Sequence, residues 1–244
     1  MRPLKAGDAI RFVSMTRRLQ IQTLALVLLA ATALLGAGAA SAVACGGTET
    51  AKPRKTVNPD GHAPLAIGDS TMLLALPDLA RVGYQVNARG CRMFEEGLDV
   101  IRDYKRRDAL PHLVVIFLGA DAGISNLQLE KAFHIVGPKR VLGLVTPIEL
   151  GGGTSADADH VRAAVKRHPK RAVLLDWVAY SKGHSSWFQP DNLHLTFDGA
   201  AGLASLLKQA LPYAKAGEHP GKSEKPTGKA GLGPGKPAPA KEPR

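Results

Sequence analysis

Aromatic residues and cysteines are both scarce in this chain of 244 residues. Phe, Trp and Tyr make up 5% of the sequence, too few for the stacking platforms on which proteins bind single-stranded nucleic acid. The two cysteines, Cys45 and Cys91, cannot form a disulfide framework, and neither belongs to a metal-ligand spacing. His184 also has no histidine or carboxylate at ligand spacing. The sequence therefore predicts no metal site and no cofactor.

A charge excess is also missing from the central part of the chain. The formal net charge is +11, but residues 61–215 hold 18 basic against 15 acidic side chains. Most of the excess therefore lies in the two flanks, whereas a nucleic-acid-binding domain carries a basic face of its own. Together with the low aromatic content, this distribution argues against a nucleic-acid partner.

Residues 1–45 have the order of an export signal. Arg17-Arg18 precedes an apolar stretch, and small residues follow up to Ala42-Val43-Ala44, which suits a signal peptidase. We therefore expect a signal peptide and a protein that is secreted or held at the cell surface. Two alternatives stay open, because residues 19–44 are long enough to remain as a membrane anchor and Cys45 lies where a lipidated cysteine would lie. A disulfide between the two cysteines would also fit a location outside the cytoplasm.

Two further segments have the composition of connecting chain rather than of a fold. Residues 46–60 are polar with Gly, Thr and Pro, and are expected to be a linker. Residues 216–244 are rich in Pro, Gly and Lys without apolar periodicity, which predicts a disordered tail. This tail is either a solvated terminus or a contact to an anionic cell wall. The folded domain is accordingly expected over residues 61–215.

Strand and helix patterns alternate within this domain. The predicted strands cover residues 63–67, 84–88, 113–118, 140–145 and 172–175. The predicted helices cover residues 71–79, 93–107, 125–136, 157–167 and 197–211. Such alternation predicts a three-layer α/β/α domain with a mostly parallel, five-stranded sheet. In folds of this kind the reactive site lies at the carboxyl ends of the strands.

Two short motifs supply the groups for nucleophilic acyl transfer. Gly68-Asp69-Ser70 follows the first predicted strand, and Asp191-Asn192-Leu193-His194 precedes the last predicted helix. In such a site the Ser attacks, the His takes its proton, and the Asp orients the His and stabilises the imidazolium. Ser70, His194 and Asp191 are therefore the candidate catalytic residues.

These motifs resemble those of the SGNH, or GDSL-like, hydrolase superfamily, which has a flavodoxin-like α/β/α fold. The surrounding residues are similar to the SGNH domain attached to membrane acyltransferases such as the peptidoglycan O-acetyltransferases. They are Ile67-Gly68-Asp69-Ser70-Thr71-Met72, Phe117-Leu118-Gly119-Ala120-Asp121, Leu175-Asp176-Trp177 and Asp191-Asn192-Leu193-His194-Leu195-Thr196. The similarity covers roughly residues 63–214.

The resemblance also implies an oxyanion hole. Its donors would be the backbone N–H groups of Ser70 and Gly90 and the side chain at position 121. The family has Asn at that position, whereas this chain has Asp121. An ionised carboxylate only accepts hydrogen bonds, so Asp121 is expected to weaken the activity. Arg92 and Trp187 are candidate substrate contacts, although a solvated Arg92 and a packing role for Trp187 fit the sequence as well.

The sequence thus predicts an extracytoplasmic serine-dependent O-acyl esterase or O-acyltransferase. The resemblance implies an O-acylated cell-surface carbohydrate or a small ester as substrate. It also implies a membrane acyltransferase as partner, because any acyl donor that crosses the membrane must be supplied by another protein. The alternative is a non-catalytic carbohydrate- or cell-wall-binding module on an SGNH scaffold.

Overall fold

A mostly parallel sheet lies at the centre of the computed structural model, which describes residues 45–54, 62–149 and 155–221. The order of its six strands within these ranges is β1-β3-β2-β4-β5-β6. They are β1 (Thr48–Ala51), β2 (Leu65–Gly68), β3 (Gln85–Arg89), β4 (Leu113–Phe117), β5 (Val141–Val145) and β6 (Ala172–Leu175). Strands β2 to β6 run parallel, and β1 pairs antiparallel with β3 at one edge. The predicted three-layer fold is confirmed, with one strand more than expected.

The extra strand comes from the segment that was predicted to be a linker. Thr48–Ala51 is short, polar and mostly exposed, so its residues show no apolar alternation. Its order comes from backbone pairing with β3, which side-chain patterns do not reveal. The linker prediction for residues 46–60 was therefore wrong at this strand.

Six α-helices lie within the described residues, of which four connect successive strands and two follow β6. They are α1 (Leu76–Val82), α2 (Phe94–Arg106), α3 (Asn126–Val136), α4 (Ala156–Arg167), α5 (Trp177–Tyr180) and α6 (Phe197–Lys208). Short 3-10 turns cover Ser70–Ala75, Ser185–Trp187 and Leu211–Ala214. Pro77 lies in the first turn of α1, where its missing N–H has no partner to lose. None of the described helices is long and apolar enough to cross a membrane; the predicted signal or anchor lies outside the described residues.

The alternation of side chains along the strands separates the core into two layers. Leu113, Val115 and Phe117 of β4 pack in one layer, with α1 and α6. Val114 and Ile116 of the same strand pack in the other, with α2, α3 and α4. All five residues of this strand are buried, as expected for a strand covered on both faces. The sheet is therefore a rigid support for the loops at its carboxyl ends.

A buried carboxylate joins two of these loops. Asp69 follows β2 and is 1% exposed. Its Oδ1 accepts hydrogen bonds from the Thr71 N–H at 3.0 Å and the Thr71 hydroxyl at 2.6 Å. Its Oδ2 accepts from the N–H of Ala120, in the loop after β4, at 3.3 Å. Burial raises the pKa of the Asp69 carboxyl, because the charged form has lost its water.

The loop before α6 is packed against that helix through Trp187. This side chain stacks on Trp177, with ring centroids 5.6 Å apart, and is 7% exposed. Two glycines of α6 make the approach possible. A Cβ on Gly199 would lie 2.0 Å from the Trp187 carbonyl oxygen, and one on Gly202 would lie 2.8 Å from its ring. The helix and the loop can therefore pack at this distance only where both positions lack a side chain.

Gly199→Ala is expected to destabilise the protein by about 2 kcal/mol or more, because the new methyl group meets backbone that cannot rotate away. Urea denaturation measures the effect. Gly47→Ala is the control, since a Cβ there meets nothing within 4 Å. Equal stability of the two variants would show that the loop moves away from α6 at little cost.

Asp69→Asn tests the cost of burying this charge. A raised pKa in the folded state means that the ionised carboxylate costs stability at neutral pH, and that this cost vanishes on protonation. Lowering the pH from 7 to about 4 should therefore stabilise the wild type relative to Asp69→Asn, which cannot titrate. Denaturation midpoints at both pH values measure the difference. The prediction would be contradicted if the difference between the two midpoints were the same at both pH values, or if Asp69→Asn gained stability relative to the wild type at the lower pH.

Candidate active site

Ser70 lies at the point where β2 ends and a 3-10 turn begins. Gly68 is the last residue of the strand, and a Cβ there would lie 2.5 Å from the side chain of Met72. Asp69 caps the turn through its side chain, which accepts from the Thr71 N–H. The Gly-Asp-Ser order therefore allows a tight, capped bend that presents Ser70 at the carboxyl edge of the sheet.

The structure brings the three candidate catalytic residues into one hydrogen-bonded row. The Nε2 atom of His194 lies 3.0 Å from the Ser70 Oγ, across 124 positions of sequence. The Nδ1 atom of His194 lies 2.7 Å from Asp191 Oδ2. Since a carboxylate only accepts, the proton of the neutral imidazole belongs on Nδ1. The Nε2 lone pair then faces the Ser70 hydroxyl, as required of a general base.

Asp191 is held in its ionised form. Its side chain accepts from the His194 ring and from the Leu193 and His194 N–H groups, and the two N–H groups both bond to Oδ1 at 3.0 Å. These bonds, with that from the His194 ring the largest, lower the pKa of the Asp191 carboxyl to about 2. The residue therefore stays negative throughout the pH range in which an esterase works.

A tight loop fixes the direction of the His194 ring. The N–H of Gln189 donates to the His194 carbonyl at 2.7 Å, and its side chain donates to the Leu195 carbonyl at 3.0 Å. Asn192 takes a left-handed φ of +56°, a conformation that Asn tolerates better than most residues. The side chains of Asp191 and His194 remain 44% and 37% exposed. The row is therefore rigid and also open to solvent.

The sheet register brings the loops that carry the proposed oxyanion-hole positions to the edge at which Ser70 lies. Gly68 pairs with Ala88 of β3 on one side and with Phe117 of β4 on the other. Gly90 lies two residues beyond Ala88, as Ser70 lies two beyond Gly68. Gly90 is buried in the turn after β3, whereas Asp121 is exposed in the bend after β4. The three loops thus leave neighbouring strands at the same edge.

The structure gives Arg92 a different place from the one expected. Arg92 is 3% exposed rather than solvated. Its guanidinium donates to the Gly68 carbonyl at 3.0 Å, the Asn87 carbonyl at 2.7 Å and the Asn87 side chain at 2.7 Å. Burial lowers the Arg92 pKa to about 10. These contacts join the end of β2 to β3, so Arg92 supports the site from inside and does not face a substrate.

Trp187 also lies inside, which corrects its interpretation as a substrate contact. Its ring lies between Trp177 and His184, whose centroid is 4.0 Å away. The carbonyl of Trp187 accepts from the N–H of Thr196 at 2.9 Å. Trp187 therefore anchors the loop that carries His194, which is the packing role that the sequence left open.

A second polar network, partly buried, occupies the carboxyl ends of β5 and β6. Asp176 accepts two hydrogen bonds from Arg162, both 2.9 Å long, and one from the Thr146 hydroxyl at 3.0 Å. The chain order placed Asp176 after a strand but did not reveal its partners. Arg162 satisfies the carboxylate, so this network holds the neighbouring loops together. In the described ranges, no three His, Cys, Asp or Glu side chains are grouped so as to hold a metal ion.

Relatives of known sequence support the family resemblance, although no protein-family model matches the chain. YrhL of Bacillus subtilis, a candidate peptidoglycan O-acetyltransferase, is 26% identical over 174 residues, which cover 68% of this chain and 27% of that protein. The peptidoglycan O-acetyltransferase OatA of Listeria monocytogenes is 24% identical over 149 residues, which cover 60% of this chain and 24% of that protein. The chain thus spans about a quarter of the length of the curated relatives it matches.

Solved structures show the same fold. The C-terminal catalytic domain of OatA from Streptococcus pneumoniae, solved with a methylsulfonyl adduct, superposes with a TM-score of 0.54 at 22% identity. The match covers 63% of this chain and 94% of that domain. A candidate SGNH hydrolase from Slackia heliotrinireducens has a TM-score of 0.50 at 16% identity, over 64% of this chain and all of that one. The chain therefore has the SGNH α/β/α fold and resembles the SGNH domain of the peptidoglycan O-acetyltransferases.

Proposed function

We propose that the protein is a serine-dependent O-acyl esterase or O-acyltransferase that acts outside the cytoplasm on O-acetylated carbohydrate. The observation that carries this proposal is the row from Ser70 through His194 to Asp191, with separations of 3.0 and 2.7 Å. Hydrogen-bonded Ser, His and Asp at these distances are the arrangement required for nucleophilic acyl transfer.

The first half-reaction forms an acyl-serine. The Ser70 Oγ attacks the ester carbonyl while His194 Nε2 takes the hydroxyl proton, and the ionised Asp191 stabilises the imidazolium. The developing oxyanion would be held by the N–H groups of Ser70 and Gly90. When the tetrahedral intermediate collapses, the C–O bond to the alcohol breaks and His194 returns the proton to the leaving oxygen.

The second half-reaction differs between an esterase and a transferase only in the acceptor. His194 takes a proton from water or from a carbohydrate hydroxyl, whose oxygen attacks the acyl-serine. Breaking the bond to Ser70 Oγ releases either the free acid or a new ester, and the proton returns to Ser70. The named substrate of OatA, peptidoglycan, makes cell-wall carbohydrate the substrate class that we propose.

Two observations support the location and the partner. Cys45 and Cys91 are both disulfide-bonded, and disulfides persist mainly outside the cytoplasm. The chain also resembles SGNH domains that are attached to membrane acyltransferases, so we propose such a protein as the acyl donor. The signal peptide and the wall-binding tail remain predictions, because most of their residues lie outside the described ranges.

A specific observation favours the second candidate function, a non-catalytic carbohydrate-binding module. Asp121 stands where the family has an oxyanion donor, and it is exposed at the carboxyl edge. A negative charge at this place opposes the formation of an oxyanion. Covalent labelling of Ser70 by a serine-directed phosphonate separates the two functions, since a binding module needs no activated serine.

Ser70→Ala is expected to reduce turnover of a chromogenic acetate ester by roughly a thousandfold or more, with His194→Ala nearly as damaging. Asp191→Asn should do less harm than either, since the base itself is retained. Two matched controls are available: Ser205→Ala and His134→Ala remove exposed residues of the same kinds from helices. Near-normal turnover in a folded Ser70→Ala variant would remove the catalytic proposal.

Asp121→Asn is expected to raise turnover at neutral pH by roughly tenfold or more. An amide donates a hydrogen bond, whereas the ionised carboxylate cannot, and one oxyanion donor is typically worth about a hundred- to a thousandfold in rate. Asp121→Ala is the control, because it removes the charge without adding a donor. Steady-state kinetics of the three proteins decide the matter. A lower rate in Asp121→Asn would show that the carboxylate has a positive role.

A further inference from the structure

The exposed large apolar side chains are concentrated at the edge of the sheet that carries Ser70. Within the described residues they are Met93, Leu127, Leu174 and Phe197. Met93 precedes α2, Leu127 is the second residue of α3, and Phe197 is the first residue of α6. Since β2 to β6 run parallel, the helices that follow them begin at the carboxyl edge. We call Met93, Leu127 and Phe197 the apolar rim.

Phe197 is the most exposed of these side chains and the nearest in sequence to the catalytic base. It is 79% exposed and lies three residues after His194. Burial of an aromatic side chain is strongly favourable, and this position forgoes most of that gain. An isolated exposed apolar residue needs no explanation, but an aromatic ring this exposed, three residues from the catalytic base, indicates a contact surface.

The backbone on both sides of Phe197 is fixed. The Thr196 hydroxyl donates to the Ser186 carbonyl at 2.7 Å and accepts from the Gly199 N–H at 3.3 Å. The Thr196 N–H donates to the Trp187 carbonyl at 2.9 Å. The ring is therefore presented from a rigid helix start, so binding to it loses little backbone entropy.

The open site suits a ligand that lies across the edge. More than a third of each of the His194 and Asp191 side chains is exposed, so the reacting ester does not need to enter a closed cavity. A pyranose ring has an apolar C–H face and a polar hydroxyl rim. An exposed aromatic ring matches the first, and the open polar residues beside it match the second.

We propose that Phe197 binds a sugar ring of the carbohydrate substrate, next to the ring whose ester or hydroxyl reacts at Ser70. Met93 lies three residues beyond Gly90, in the loop after β3. This proposal rests on the proposed function and specifies which residue recognises the carbohydrate. A small acetate ester lacks the sugar ring that Phe197 would bind, so Phe197 should influence carbohydrate affinity and not the chemical step.

The experiment compares Phe197→Ala, Phe197→Trp and the control Leu174→Ala in the full chain. Leu174 is also exposed and apolar, but it lies in β6 at the far edge of the sheet. The first measurement is the affinity for the β-1,4-linked tetramer of N-acetylglucosamine, by titration calorimetry on a Ser70→Ala background. The second is acetyl transfer from 4-nitrophenyl acetate to the same tetramer.

Phe197→Ala is expected to weaken tetramer binding and raise the acceptor KM about tenfold, with kcat nearly unchanged, while Phe197→Trp and Leu174→Ala retain affinity. An unchanged affinity, or no binding by any variant, would overturn the proposal. The proposal would also be overturned if Phe197→Ala lost binding to phosphatidylcholine vesicles but kept its affinity for the tetramer. That result would assign the apolar rim to a lipid surface. If the wild type neither turned over the ester nor was labelled at Ser70, the proposed catalytic function would be refuted. The calorimetry would still test whether Phe197 binds carbohydrate, because it does not depend on turnover.

Discussion

The site depends on hydrogen bonds that tie the carboxyl ends of three neighbouring strands together. Arg92 joins the end of β2 to β3, and Asp69 joins the loop after β2 to the loop after β4. Both side chains are buried, so their bonds do not compete with water and an unsatisfied partner would be costly. The backbone around Ser70 and Gly90 is therefore fixed before any substrate arrives, which is what electrostatic stabilisation of an oxyanion requires.

The other half of the triad is held by packing as well as by the hydrogen bonds of its own loop. The loop that carries His194 is anchored where Trp187 meets Gly199 and Gly202 of α6. Since α6 also packs in the same core layer as α1 and the turn after Ser70, the two halves of the site share one hydrophobic layer. A displacement at Trp187 would therefore move His194 relative to Ser70. The distance of 3.0 Å between base and nucleophile is thus set by close packing.

Much of this arrangement follows from sequence patterns, and the exceptions have physical reasons. Alternation of strands and helices predicted the parallel sheet with a reactive site at the carboxyl ends of its strands, and the two motifs predicted the residues of that site. The side chains of Arg92 and Trp187 were misjudged because a residue type does not reveal burial. An arginine beside a glycine turn is usually solvated, and only the three-dimensional positions of Gly68 and Asn87 show that its donors have partners inside. Strand β1 was missed because its order derives from backbone pairing.

The choice between hydrolysis and transfer depends on what the open edge can hold. Water has access to the catalytic row, because the side chains of His194 and Asp191 are both partly exposed. A carbohydrate hydroxyl can compete with water only if the protein holds it in position. A well-oriented group reacts with an effective molarity of roughly 10⁵ M or more, which exceeds the concentration of liquid water. An exposed, rigid ring at Phe197 provides such a hold, whereas the triad does not distinguish the two acceptors. Under the proposed function, the acceptor preference therefore depends on residues outside the triad, because the catalytic row serves both reactions alike.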